Sequence, residues 1–186
     1  MGCRRALVLA LAVLAGPSSV SAQRTVSPGL VKSGTLWFDG KSTLGEFKGT
    51  TSSVTGEMTG GHLTDVKGWV EAAVNTLKTD NDRRDRDLNK SMESEKYSAI
   101  RFDLDAVRPG WERGDSAGVQ LDGRFTIHGV TRRVAIEALV YFGGGGITIA
   151  GQVPMNLKDY QIGGLSKFLG ILKMNPAIVV HLDLVF

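Results

Sequence analysis

The closing stretch IVVHLDLVF places Ile178, Val180, Leu182, Leu184 and Phe186 at every second position, and this two-residue rhythm recurs through most of the chain. Successive side chains of an extended strand point to opposite faces, so alternation of this kind describes strands with one buried face and one wet face. Val66, Val70, Ala72 and Val74 share a face in VKGWVEAAV, opposite Lys67, Trp69 and Glu71. Ile100, Phe102, Leu104 and Ala106 do so in IRFDLDAV, and Val119, Leu121, Phe125 and Ile127 in VQLDGRFTI. The pattern continues with Val134, Ile136, Ala138, Val140 and Phe142, then with Ile147, Ile149, Val153 and Met155. Thr35 to Asp39 and Ser53 to Thr59 are two earlier candidates. The connections HGVT (128–131) and GGGG (143–146) are short and glycine-bearing, as tight hairpins require. Glycine is abundant throughout, 24 of 186 residues, consistent with many short strands joined by turns.

The expected fold is therefore all-β, an antiparallel β-barrel of about eight strands. Closing the sheet removes the exposed edges that invite aggregation, and an eight-stranded barrel has an interior large enough for side chains or one small ligand. That geometry makes binding the first function to consider.

The N-terminus obeys other rules. MGCRRALVLALAVLAGPSSVSA has two arginines, an apolar run from Ala6 to Ala15 and small residues ending at Ala22, the pattern of a secretory signal peptide cleaved after Ala22. The run is about half the length of a membrane span, and no later stretch is long enough, so no transmembrane span is expected. The expected location is periplasmic or secreted. Residues 23–33 read as a flexible leader and 34–186 as a single barrel domain. Cys3 precedes the apolar run instead of following it, so it does not occupy a lipid-anchor position, and the processed chain has no cysteine. Loss of Arg4 and Arg5 leaves 20 basic against 19 acidic residues, too even a balance for a nucleic-acid footprint.

One segment breaks the alternation. LKTDNDRRDRDLNKS, residues 77–91, carries nine charges and few β-branched side chains. Asp80 or Asn81 can cap a helix, Asp82 and Asp85 fall in its first turn, and Leu88 and Met92 form a narrow apolar stripe, so a helix around 80–93 is expected. Asp80, Asp82 and Asp85 invite comparison with a calcium loop, but the twelve-residue template needs glycine sixth and glutamate twelfth. Asp85 and Ser91 stand there, and Arg83, Arg84 and Arg86 would repel a cation. Arg84 and Asp85 are instead candidates to reach partners on the barrel. No metal and no cofactor is expected: His62, His128 and His181 lack neighbours at ligand spacing. His128 lies in a hairpin turn. His181 and Asp183 share an outward face and could in principle serve a hydrolase with Ser166 or another serine, although no GxSxG elbow is present. Near the C-terminus, GGLSKFLGILKMNP is too apolar for an ordinary surface loop, and residues around 165–173 are expected to form a short helical or loop lid, either plugging the barrel end or bordering a ligand portal.

These blocks resemble a known family. LKTDNDRRDRDLNKSMESEKYSAIRFDL is similar to the "T-x-n-x-x-R-D-x-x-L … k-y-p-x-I-x-F" block of the YceI-like proteins, and GRFTIHGVTRRVAIEALV to their "G-x-L-T-i-h-G-v-T-r-x-v" block. The ending, DYQIGG … FLGILKMNPAIVVHLDLVF, resembles the family's closing segment. The resemblance implies a lipocalin-like periplasmic or secreted barrel that holds a polyisoprenoid-type amphiphile and catalyses nothing. Wall candidates are then Phe102, Leu104, Leu121, Phe125, Ile136, Val140, Ile149 and Leu182, with Phe168 and Leu172 near an opening. Many family members carry a histidine in an N-terminal stretch where this chain has Gly40 or Lys41, while Gly45 and Phe47 are kept. A headgroup contact through that histidine is therefore absent. A filled barrel acting through its surface, as an envelope-stress or structural protein, is the alternative. The sequence leaves the choice between monomer and homodimer open.

Overall fold

The computed structural model describes residues 24–163, 166–167 and 172–186, with backbone alone for Ser166, Lys167 and Leu172. Its strands are β1 (Gly29–Leu30), β2 (Ser33–Ser42), β3 (Gly45–Thr51), β4 (Val54–Thr59), β5 (Lys67–Ala73), β6 (Ala99–Arg113), β7 (Ser116–Ile127), β8 (Val130–Gly143), β9 (Gly146–Asn156), β10 (Ser166–Lys167), β11 (Leu172–Lys173) and β12 (Ala177–Val185). One α-helix, α1 (Asp82–Ser91), follows β5, and short 3-10 turns cover Val74–Thr76 and Leu157–Tyr160.

Ten strands form one curled antiparallel sheet in the order β1-β4-β5-β6-β7-β8-β9-β12-β2-β3. Its two ends meet. β1 and β2 belong to one extended run, which bonds to β4 at its start and to β12 from Ser33 onward. The switch falls between Val31, whose N–H donates to Gly56, and Lys32, whose N–H donates to Val185. The pairs Gly29 with Met58 and Ser42 with Gly45 keep one common register, so 29–42 and 45–59 form a single hairpin opened in its middle. Counted this way, the ten strands are eight runs in a closed ring, which matches the expected barrel.

The alternation of the sequence is the alternation of the wall. Inward residues such as Val119, Leu121, Phe125 and Ile127 on β7, or Ile178, Val180 and Leu184 on β12, are buried in one continuous core. The rhythm slips twice in β6, where extra residues fall between Leu104 and Ala106 and between Pro109 and Trp111; the first changes the face of the residues that follow. Beyond it Val107, instead of the expected Ala106, is the buried side chain. The two-residue loops His128-Gly129 and Gly144-Gly145 have positive φ at all four positions, which suits a hairpin turn to the twist of its strands.

The barrel begins earlier than Gly34. Thr25 bridges to His62, Val26 is buried, and Gly29–Leu30 pair with β4, so the span expected as a leader is wall and plug from residue 25 on. Residues 1–22, the expected signal peptide, lie outside the described residues. The expected lid is a ribbon where it is described: Ser166 faces Lys173 and Lys167 faces Leu172, with no helix at either pair. Phe168 lies outside the described residues.

Candidate functional site: the barrel interior

Two spaces follow one another along the barrel axis and meet at a belt of Leu36, Ile100, Phe125 and Val180, which line both. The inner space is about 80 Å³ and bounded almost wholly by apolar side chains. The outer one, under α1, is about 440 Å³, within the range of small-molecule sites. All eight wall candidates expected from the sequence, Phe102, Leu104, Leu121, Phe125, Ile136, Val140, Ile149 and Leu182, border the inner space. Only Phe125 also reaches the larger chamber. There the wall is Phe38, Phe47, Leu77, Leu88, Met92, Ile127, Met155, Leu157, Ile162, Met174 and Ile178. Leu172 starts one side of the ribbon near this end, and its side chain is outside the described residues.

Helix α1 roofs the larger chamber, and its attachment explains why so charged a segment sits over an apolar space. Asn81 caps it, its side-chain oxygen accepting from the Arg84 N–H at 2.9 Å. Asp85 turns back to the segment before the helix, accepting from the Thr79 N–H at 2.9 Å and the Thr79 hydroxyl at 2.6 Å, with the Lys78 ammonium at 3.6 Å. Both Asp85 and Thr79 are buried. The Thr79 hydroxyl is the main influence holding the Asp85 carboxyl below its ordinary pKa, outweighing burial, which acts in the opposite direction. Arg84 donates to the Thr79 carbonyl at 3.3 Å and lies 4.5 Å above the Phe47 ring, which itself meets Phe38 edge-on. Arg84 thus reaches the barrel at Phe47, as expected, whereas Asp85 bonds to Thr79 and Lys78 in the segment that leads from β5 to α1.

At the far end of α1, His128 fastens the helix to two loops. Its Nε2 lies 3.1 Å from a Glu93 carboxylate oxygen and its Nδ1 3.2 Å from the Tyr160 carbonyl, with the Tyr97 ring packed against it. The positions where many relatives carry histidine are filled differently: Gly40 lies under the Phe47 ring, and Lys41 pairs with Glu46 at 3.3 Å. A Cβ on Gly40 would fall 2.6 Å from Phe47 Cζ, so the missing side chain is what seats that ring.

The mouth of the larger chamber is mostly polar, with the exposed Leu44 beside it. Asn81, Arg83, Arg84 and Asp87 of the α1 segment face Ser42, Thr43 and Lys173 around it. The arrangement suits a molecule with an apolar body and a polar end. No group of three or more acidic, histidine or cysteine side chains able to hold a metal occurs among the described residues. His181 takes Asp39, not Asp183, as its partner, at 2.8 Å, and its ring stacks on Trp37. Among the described residues no serine hydroxyl bonds to it. No helix among them is long and apolar enough to cross a membrane.

The fold and its chamber define a lipocalin-like barrel with an internal cavity. The chain belongs to the YceI-like domain family, whose model matches residues 22–186. Solved structures share the fold at low identity. BcnA of Burkholderia cenocepacia is 13% identical with a TM-score of 0.69, over 82% of this chain and 96% of that one. A polyisoprenoid binding domain from Saccharophagus degradans, implicated in plant cell wall breakdown, is 15% identical with a TM-score of 0.70, over 84% and 95%. The Campylobacter jejuni YCEI protein is 16% identical with a TM-score of 0.52, over 64% and 71%. No curated protein matches the chain.

Proposed function

We propose that the barrel binds a single-chain, isoprenoid-type amphiphile and carries or sequesters it outside the cytoplasm, without catalysis. The observation that carries this reading is the 440 Å³ chamber with its apolar wall and polar mouth. Burial of each CH₂ contributes about 0.8 kcal/mol, so a prenyl tail gains affinity here without any directed polar contact. The tail enters past Leu88 and Met92, and its far end reaches the belt at Phe125. The eight inner residues from Phe102 to Leu182 take longer tails. Arg83, Arg84 and Lys173 outnumber Asp87 at the mouth and favour an anionic or strongly polar headgroup there. Membership of a family with a polyisoprenoid binding domain among its structural neighbours supports the ligand class. The signal-like N-terminus supports the location, since the family match begins at residue 22, beside the expected cleavage point.

The test is organic extraction of the purified protein followed by lipid mass spectrometry, with farnesol and farnesyl phosphate titrated into the delipidated form. Met92→Trp, which places an indole in the chamber, should abolish uptake while leaving the fold intact. A protein that carries no lipid and takes up neither probe would refute the reading and favour a barrel acting through its surface.

A further inference from the structure

The outer wall carries a second concave surface, separate from the chamber. Across six neighbouring strands, cross-strand pairing sets Arg108, Gln120, Glu137, Gln152, His181 and Trp37 in one row. Five strand spacings of ~4.8 Å make the row about 24 Å long. The adjacent row runs Trp111, Gly118, Leu139, Ala150 and Asp183. In this row Gly118 and Ala150 lie low on either side of the exposed Leu139, in a groove of about 590 Å³.

Trp111 is held as a flat platform. A Cβ built on Gly118 would lie 2.3, 2.6 and 2.9 Å from three atoms of the indole five-membered ring, Nε1, Cε2 and Cδ1. The ring therefore rests on the bare backbone of Gly118, with its other face turned outward and half its surface exposed. At the opposite end Trp37 and His181 stack with planes 2° apart. The polar groups between them differ in commitment. Arg108 is paired with Asp122, which also takes a hydrogen bond from Gln120, and His181 is paired with Asp39. Glu137, Gln152 and Asp183 have no side-chain hydrogen bond to another described residue, and all three are exposed.

We propose that this groove binds an oligosaccharide. A pyranose has an apolar C–H face that stacks on an aromatic ring, and a girdle of hydroxyls that suits amides and carboxylates, each able to engage two neighbouring groups. The occupant is not a lipid, because the row between the aromatics is polar and would lose its hydration to an alkyl chain. It is not a nucleic acid, because Glu137 and Asp183 line the floor while the groove's arginine is neutralised by Asp122. Binding to a rigid sheet whose Trp111 is already fixed loses little side-chain entropy.

Cellohexaose, chitohexaose and hexagalacturonate, each titrated to about 5 mM into the intact protein, test this, since even a ~1 mM site is then mostly filled. At least one should saturate and shift the indole N–H signal of Trp111 and the side-chain amides of Gln120 and Gln152. Trp111→Ala should weaken that binding about tenfold or more, and Gln152→Ala several-fold, with melting temperature and farnesol uptake unchanged. Failure of all three sugars to bind, or equal affinity in Trp111→Ala, overturns the proposal. So does a dimer in sedimentation that Trp111→Ala dissociates, since the groove is then covered by a second copy.

Discussion

Replacing Asp85 tests whether α1 is pinned over the chamber by a buried carboxylate. The side chain accepts two short hydrogen bonds from Thr79 inside the protein. A hydrogen bond to a charged acceptor contributes about 1.5–3 kcal/mol, and Asp85→Ala leaves both Thr79 donors without a partner. The exposed Lys78 ammonium adds no more than about 1 kcal/mol. A loss of at least about 3 kcal/mol is expected, and at roughly 2–4 °C per kcal/mol for a chain of this size the melting temperature falls by roughly 6–12 °C or more. Asp85→Asn keeps an acceptor oxygen but loses the charge, so it costs about 1–2 kcal/mol. The pH dependence separates charge from packing. The native carboxyl titrates below its ordinary value of 3.8, so the unfolded chain takes up the proton first as pH falls. The stabilisation is complete above the unfolded value and is lost as pH drops through the lower native one. Urea unfolding between neutral pH and strong acid should show that decline in the native protein and a shallower one in Asp85→Asn. A loss under about 0.5 kcal/mol for Asp85→Ala, or identical pH slopes, would refute the pin.

Other perturbations address the wall. Ile136 is completely buried, and Ile136→Ala should cost about 2–5 kcal/mol in urea unfolding. At Gly123 a methyl would lie 2.4 Å from the Asp103 carbonyl oxygen and 2.5 Å from Phe102 Cζ, so Gly123→Ala should destabilise by about 1–3 kcal/mol despite adding only one carbon. Gly123→Ser should be worse still. His128→Ala cuts the links to Glu93 and the Tyr160 carbonyl and should raise hydrogen exchange at the C-terminal end of α1 while amides in β7 stay protected.

Which residues face inward was legible in the sequence, because a strand's period of two sorts side chains without knowledge of the partner strands. How far along the axis each one sits was not. That height depends on the stagger of neighbouring strands, which no single strand encodes. So the eight wall candidates all point inward, yet they gather at the narrow end, whereas Phe38, Met155 and Ile178 surround the wide chamber. Ile178 and Met155 already lay on apolar faces, and Leu88 and Met92 on the helix stripe; nothing local marked them as chamber lining. The bulge at Leu104 was equally hidden, since an extra residue changes the face only beyond it. The capped helix was legible because capping is a local matter, and of the two candidates Asp80 and Asn81 the structure takes Asn81. The His181 partner was not, because Asp39 comes from 142 positions away in the chain.

The register that joins the two ends of the sheet also sets when the barrel can exist. Among the described residues β12 supplies the one strand between β9 and β2, and it comes last in sequence of the wall strands. Until it arrives, every other wall strand can form nearest-neighbour pairs, but the assembly is an open curl with two unsatisfied borders. Closure then joins residues near 35 to residues near 183, the kind of distant contact that slows folding. A growing chain thus stays sticky along both borders until the nine residues of β12 are free to dock. Deleting β12 would not trim this protein but leave it ajar.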